Sequence, residues 1–126
     1  MGESKLSPLE SLLESMGIKY RSTSTYLQTY WKDKKLNQIL IILFQDEEWV
    51  SISSILEHNK IKSSFNCDDE FQLINKLNLH FSGFKFVIDK ANHLLIWVQI
   101  PYEFLTSEYL LDIFKKMVYI INELYN

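Results

Sequence analysis

Three histidines, one cysteine and two runs of carboxylates are the residues of this chain that could catalyse a reaction or hold a metal, and their spacing gives them structural work instead. His58, His80 and His93 form neither an HxH nor an HxxxH pair, the spacings that put two imidazoles on one side of a strand or helix. They fall in a loop, at a helix end and in a hairpin turn. Asp46, Glu47 and Glu48 make a run that suits a tight turn, and Asp68, Asp69 and Glu70 open an apolar periodic segment, where carboxylates offset the positive end of a helix dipole. Cys67 is the sole cysteine, which excludes an internal disulfide and a multi-cysteine metal knuckle and fits a reducing compartment. The only glycines are Gly2, Gly17 and Gly83, too dispersed for a phosphate-cradling loop. There is no GxSxG elbow and no Cys/His signature. The expectation is a protein without catalytic residues, metal or cofactor; an enzyme whose groups are scattered beyond any motif stays open as the third option.

Charge narrows the partners. The net charge is -3 and Arg21 is the single arginine, so the guanidinium forks that read phosphates and bases are nearly absent and nucleic acid is not expected. Lys32, Lys34 and Lys35, interrupted by Asp33, read as a charged turn between strands. No apolar run is long enough to cross a bilayer, and residues 1–6 lack the basic-then-apolar order of a signal peptide, so no membrane partner and a cytoplasmic location are expected. A chain of 126 residues with 47% hydrophobic content has the size and core material of one domain, 1–126.

Caps and periodicity then place the elements. Residues 6–17 predict a helix: Ser7 as N-cap, Pro8 at the first helical position, Glu10 closing a capping box, Gly17 just past the end, and Leu9, Leu12, Leu13 and Met16 on one stripe. Residues 25–31, 38–45 and 48–53 predict three antiparallel strands. A two-residue turn at Asp46 and Glu47 sets Phe44 opposite Trp49 and Leu43 opposite Val50, with Ile39, Ile41, Leu43, Val50 and Ile52 on the core side. After a polar stretch at 58–66, residues 68–81 predict a second helix with Phe71, Ile74, Leu77 and Phe81 at helical spacing. Residues 84–89 and 94–100 predict a hairpin with Lys90, Ala91 and Asn92 as its loop, Asn92 taking the left-handed position. Pro101 ends that strand. A last helix starts at Thr106 or Ser107, with Leu110, Ile113, Phe114, Met117, Ile120, Ile121 and Leu124 as its apolar stripe. The order is α-β-β-β-α-β-β-α, which predicts an α+β fold with a five-stranded antiparallel sheet and flanking helices.

Strand parity leaves a surplus of apolar residues. Leu40, Ile42, Phe44, Trp49, Val87, Leu95 and Trp97 fall on the sheet face opposite the inferred core. Either a helix covers them, as sheets apolar on both faces usually require, or they form a binding surface for a protein partner or a second copy of this chain. A regulatory domain holding a small ligand between sheet and helices is the alternative, with Tyr26, Tyr30 and Tyr102 as sources of hydroxyls.

Three stretches carry a resemblance. They are the capped opening helix running into Gly17, Ile18, Lys19 and Tyr20; the segment 71–78 with Asn75 and Asn78, followed by the strand at 84–89; and Ile100 and Pro101 leading through Leu105, Thr106 and Glu108 into the last helix. Together they resemble the YbjN family, whose fold is similar to that of type III secretion chaperones. Asn92 stands where the family often has a glycine in its last hairpin. The resemblance implies a non-enzymatic, dimeric protein, a regulator or a chaperone-like holder of extended polypeptides. It carries over no binding residue, because no binding motif of the family matches these positions.

Overall fold

Apolar residues alternating along residues 27–56 and 85–101 build a six-stranded antiparallel sheet in the computed structural model, which describes residues 7–32, 35, 37–65 and 67–125. The strands are β1 (Arg21–Ser22), β2 (Leu27–Lys32), β3 (Gln38–Gln45), β4 (Trp49–Leu56), β5 (Lys85–Ile88) and β6 (Leu94–Pro101), in the spatial order β1-β2-β3-β4-β6-β5. Helices α1 (Pro8–Ser15), α2 (Glu70–His80) and α3 (Ser107–Tyr125) complete the chain. Leu6 and residues 33, 34 and 36 of the charged turn lie outside the described residues.

The α1 capping box forms as the sequence predicts: Glu10 N–H donates to Ser7 Oγ at 3.1 Å and Ser7 N–H to Glu10 Oε1 at 3.4 Å. At its other end Ile18 N–H reaches Leu13 O and Gly17 N–H reaches Glu14 O, both at 3.0 Å, a Schellman pair that needs the positive φ of Gly17, 71°. Tyr20 folds back to donate its hydroxyl to Glu14 Oε2 at 2.8 Å and Glu10 Oε2 at 3.2 Å. The bond to Glu14 is the main reason its phenol is held above the ordinary range. Thr106 settles the start of α3, its Oγ1 accepting from Tyr109 N–H at 3.1 Å.

The sheet differs from the expected one in three places. It has six strands rather than five, because the two residues of β1 pair with β2 and two residues show no periodicity. β2 starts at Leu27, since Thr23 Oγ1 accepts from Tyr26 N–H at 3.1 Å and holds the residues before it in a turn. The β3–β4 register is shifted by two residues: Phe44 lies opposite Ser51 and Leu43 opposite Ile52. Asp46 causes the shift. Its Oδ1 accepts from Glu48 N–H at 2.9 Å and Trp49 N–H at 2.7 Å, so the turn pivots on Glu47 and Glu48. A two-residue shift preserves side-chain parity, so every face assignment survives it.

The β5–β6 hairpin has the predicted register, with Phe86 opposite Ile96, Ile88 opposite Leu94, and Asn92 at φ 67°. Asp89 organises the turn: its Oδ1 accepts from His93 N–H at 2.8 Å, and that backbone bond is the chief cause holding the Asp89 carboxyl below its ordinary 3.8. A folded-state value below the unfolded one means that the turn's stabilisation is present above the ordinary carboxylate range and is lost as pH falls through the lowered value. In an NMR titration the Asp89 carboxyl is expected to show a midpoint under 3.8, with the His93 amide shifting in step. A midpoint at or above 3.8 would contradict the turn.

All three helices contribute to one core on one side of the sheet. Leu9 and Leu13 of α1 and the α3 stripe from Leu110 to Leu124 meet Leu27, Ile39, Ile41, Leu43, Val50, Ile52, Ile96 and Ile100. Phe114, fully buried, packs its ring 5.3 Å from that of Trp31; such burial contributes roughly 2–3 kcal/mol. α2 covers the β5 end, burying Leu73 and Leu77 and bringing Phe81 to 5.9 Å from Phe86. Of its expected line Leu77 is buried and Ile74 and Phe81 pack against the core, but Leu73 joins them in place of Phe71. Phe71 points outward, because at 100° per residue it sits about 200° around the helix from Leu73. The connector before α2 is also less polar than it reads, for Ile61 and Phe65 enter the core. Lys62 N–H donates to Leu124 O at 2.7 Å and Glu57 N–H to Tyr125 Oη at 3.0 Å, which ties the connector to the last turn of α3.

Candidate protein-binding surface

Side chains that alternate with the core residues along β2–β6 point away from this shared core. Leu40, Ile42, Val87, Leu95 and Trp97 are half-buried among their sheet neighbours, while Phe44 is 45% and Trp49 38% exposed. All seven residues singled out from the sequence therefore share one face, and among the described residues no helix core includes them. The register groups them unevenly. Ile42, Ser53, Trp97 and Lys85 form one row across the sheet, and Ile55, Leu95 and Val87 form another. Phe44 and Trp49, expected to be paired, face Ser51 and Pro101. Ile55 is an exposed member of the face that sequence reasoning missed, because the predicted strand stopped at Ser53; two further alternating residues were the signal.

The face has charged or polar borders. Lys85 holds its Nζ 5.7 Å from the Trp97 ring centroid. At the opposite end Glu47, Glu48, Trp49, Pro101, Tyr102 and Glu103 line a notch of about 490 Å³, with Tyr102 N–H donating to Glu48 O at 2.7 Å. The tyrosines considered for a ligand site do not converge: Tyr26 lines a groove beside α1, Tyr30 is exposed on β2, and Tyr102 lines the notch.

A second apolar surface was not anticipated. On α2, Phe71 is 83% and Leu79 82% exposed. Each is displaced two positions from a buried leucine, Leu73 and Leu77, and that displacement was the available signal. The histidines lie where the sequence put them: His58 opens a single 3-10 turn, His80 ends α2 with its ring 5.0 Å from that of Phe65, and His93 sits in the β5–β6 turn. Among the described residues no three His, Cys, Asp or Glu side chains gather as metal ligands, and no helix is long and apolar enough to cross a membrane.

An antiparallel sheet in this order, with helices before, within and after it, is the fold of the type III secretion chaperones and of YbjN, and this chain has that fold. Three solved structures show it. A structure of the HopA1–SchA chaperone–effector complex matches with a TM-score of 0.63 at 15% identity, covering 93% of this chain and 89% of that one. YbjN from E. coli, described as a candidate transcription regulator, matches with a TM-score of 0.63 at 13% identity over 91% of this chain and 87% of its own. The Yersinia pestis type III secretion chaperone SycH, solved with a fragment of YscM2, matches with a TM-score of 0.58 at 17% identity over 92% and 95%. No family model and no curated protein matches the sequence.

Proposed function

We propose that the protein is a non-enzymatic, chaperone-like or regulatory protein-binding module of the cytoplasm, one domain throughout, that acts as a homodimer and holds its partner on the open sheet face. The observation that carries this reading is that face itself: Leu40, Ile42, Phe44, Trp49, Val87, Leu95 and Trp97 stay together outside the core. Contiguous apolar surface of this kind marks an interaction site in a stable monomeric fold. The likeness to chaperones solved with protein partners supports it. The free thiol of Cys67 suits a reducing compartment.

The α2 surface supports the dimer. Phe71, Asn75 and Leu79 are spaced evenly by four along one side of the helix. A two-fold axis through Asn75 sets Phe71 of each copy against Leu79 of the other, and a two-fold contact must be self-complementary in this way. It also brings the acidic end of each helix, at Asp68 and Glu70, toward Lys76 and His80 of its mate. Affinity purification of the native protein, with identification of what co-purifies, tests partner binding. Light scattering tests the dimer: wild type is expected at twice 15.0 kDa, and Phe71→Ser with Leu79→Ser at the monomer mass with unchanged circular dichroism. A monomeric wild type would sink the dimer and leave the sheet face to be judged alone.

A further inference from the structure

The open face ends, at the β3–β4 turn, on a notch whose lining suits one kind of side chain. We propose that the notch receives a lysine or arginine side chain of the bound partner, so that the segment held on the sheet is apolar with a basic residue over this turn. The inference rests on the protein-binding reading above and specifies the partner's chemistry.

Trp49, 38% exposed, and Tyr102 are the aromatic residues of the lining, and Glu47, Glu48 and Glu103 are its acidic ones. Aromatic faces attract ammonium and guanidinium groups, and carboxylates add charge-assisted hydrogen bonds to the same cation. Salt bridges among the described residues join Lys60 to Glu57 and Lys116 to Asp112, and His93 lies 3.3 Å from Asp89, so none of them engages these three glutamates. A rim of like charges beside an uncovered tryptophan is the complement of a basic group.

Two further observations strengthen the match. The same face already shows a cation over a tryptophan: Lys85 Nζ lies 5.7 Å from the Trp97 ring centroid, while Trp49, the other tryptophan on this face, has no such cation. The notch backbone is also pinned in advance. Asp46 Oδ1 holds the amides of Glu48 and Trp49, and Tyr102 N–H holds Glu48 O at 2.7 Å, so little ordering remains to be done when a side chain enters.

The test uses the full chain, isotopically labelled, and two short synthetic peptides of alternating valine and threonine. One ends in arginine amide and the other in citrulline amide, which keeps the shape and removes the charge. The arginine peptide is expected to bind at least about tenfold tighter and to move the Trp49 indole resonance, assigned with Trp49→Phe. The triple variant Glu47→Gln, Glu48→Gln, Glu103→Gln is expected to bring the arginine peptide down to the citrulline level. Equal binding of both peptides to wild type overturns the notch and leaves the sheet face standing. Failure of both peptides to bind, or a preference for arginine that survives in the triple variant, also overturns it. So does a Trp49 resonance that moves with protein concentration alone, which would put a second copy on the notch.

Discussion

Serine at both Trp49 and Trp97 is expected to weaken partner binding by at least about a hundredfold while the fold persists. Interface energy concentrates in a few aromatic anchors, each worth about 2 kcal/mol or more when truncated, and tenfold in affinity is about 1.4 kcal/mol. Both tryptophans stand on the face away from the helices, so their loss leaves no cavity in the core formed by Ile41, Leu43, Ile52 and Phe114. The stability cost is limited to strand preference, at most about 1 kcal/mol per site, and to the Lys85 contact with Trp97. Capture of co-purifying proteins by tagged wild type and variant, with circular dichroism and thermal melting of both, checks this. A variant that unfolds would make the tryptophans core residues; one that captures its partners undiminished would remove them from the interface.

The other large effect is expected at Asn78. β5 is one edge of the sheet, and the Asn78 side chain occupies that edge as a strand would, with Nδ2–H donating to Phe86 O at 3.1 Å and Oδ1 accepting from Phe86 N–H at 2.9 Å. Alanine at 78 strips both partners from the backbone of a buried phenylalanine. Unpaired groups of this kind cost roughly 1–3 kcal/mol, and the vacated edge invites pairing with other chains. Urea denaturation is expected to show a loss in that range, with faster exchange of the Phe86 amide and concentration-dependent association. Asn78→Asp, which keeps the acceptor and loses the donor, is expected to fall between. If alanine changes neither stability nor Phe86 exchange, the side-chain bonds carry no weight.

How much of this was legible in the sequence depended on whether the deciding interaction was local. The α1 capping box and the Asn92 turn are set by residues within four positions of each other, and both form as predicted. The β3–β4 turn is equally local, but the Asp46 side chain moved the two-residue turn on to Glu47 and Glu48 and displaced the register. Faces survived because parity does. On α2 the expected Ile74, Leu77 and Phe81 face the core, and tertiary packing added Leu73 in place of Phe71. Ile61 and Phe65 had no period to announce them; only contact with distant elements makes them core. The sheet residues of the candidate face were thus readable, whereas the exposed α2 pair and the notch at Tyr102 depend on chain segments brought together from far apart.

The bond from Lys62 N–H to Leu124 O has a consequence for how the molecule is made. On a ribosome the connector leading into α2 emerges long before Leu124, so this bond cannot form until the final helix is out. Closing so wide a loop also costs more entropy than closing a hairpin. Until then Phe65 has its ring contacts with His80 and Phe81, and α2 its bonds from Asn78 to Phe86, but the connector has no tie to α3. If α2 carries the dimer contact proposed above, its exposed Phe71 and Leu79 can meet a second copy before the final helix is in place.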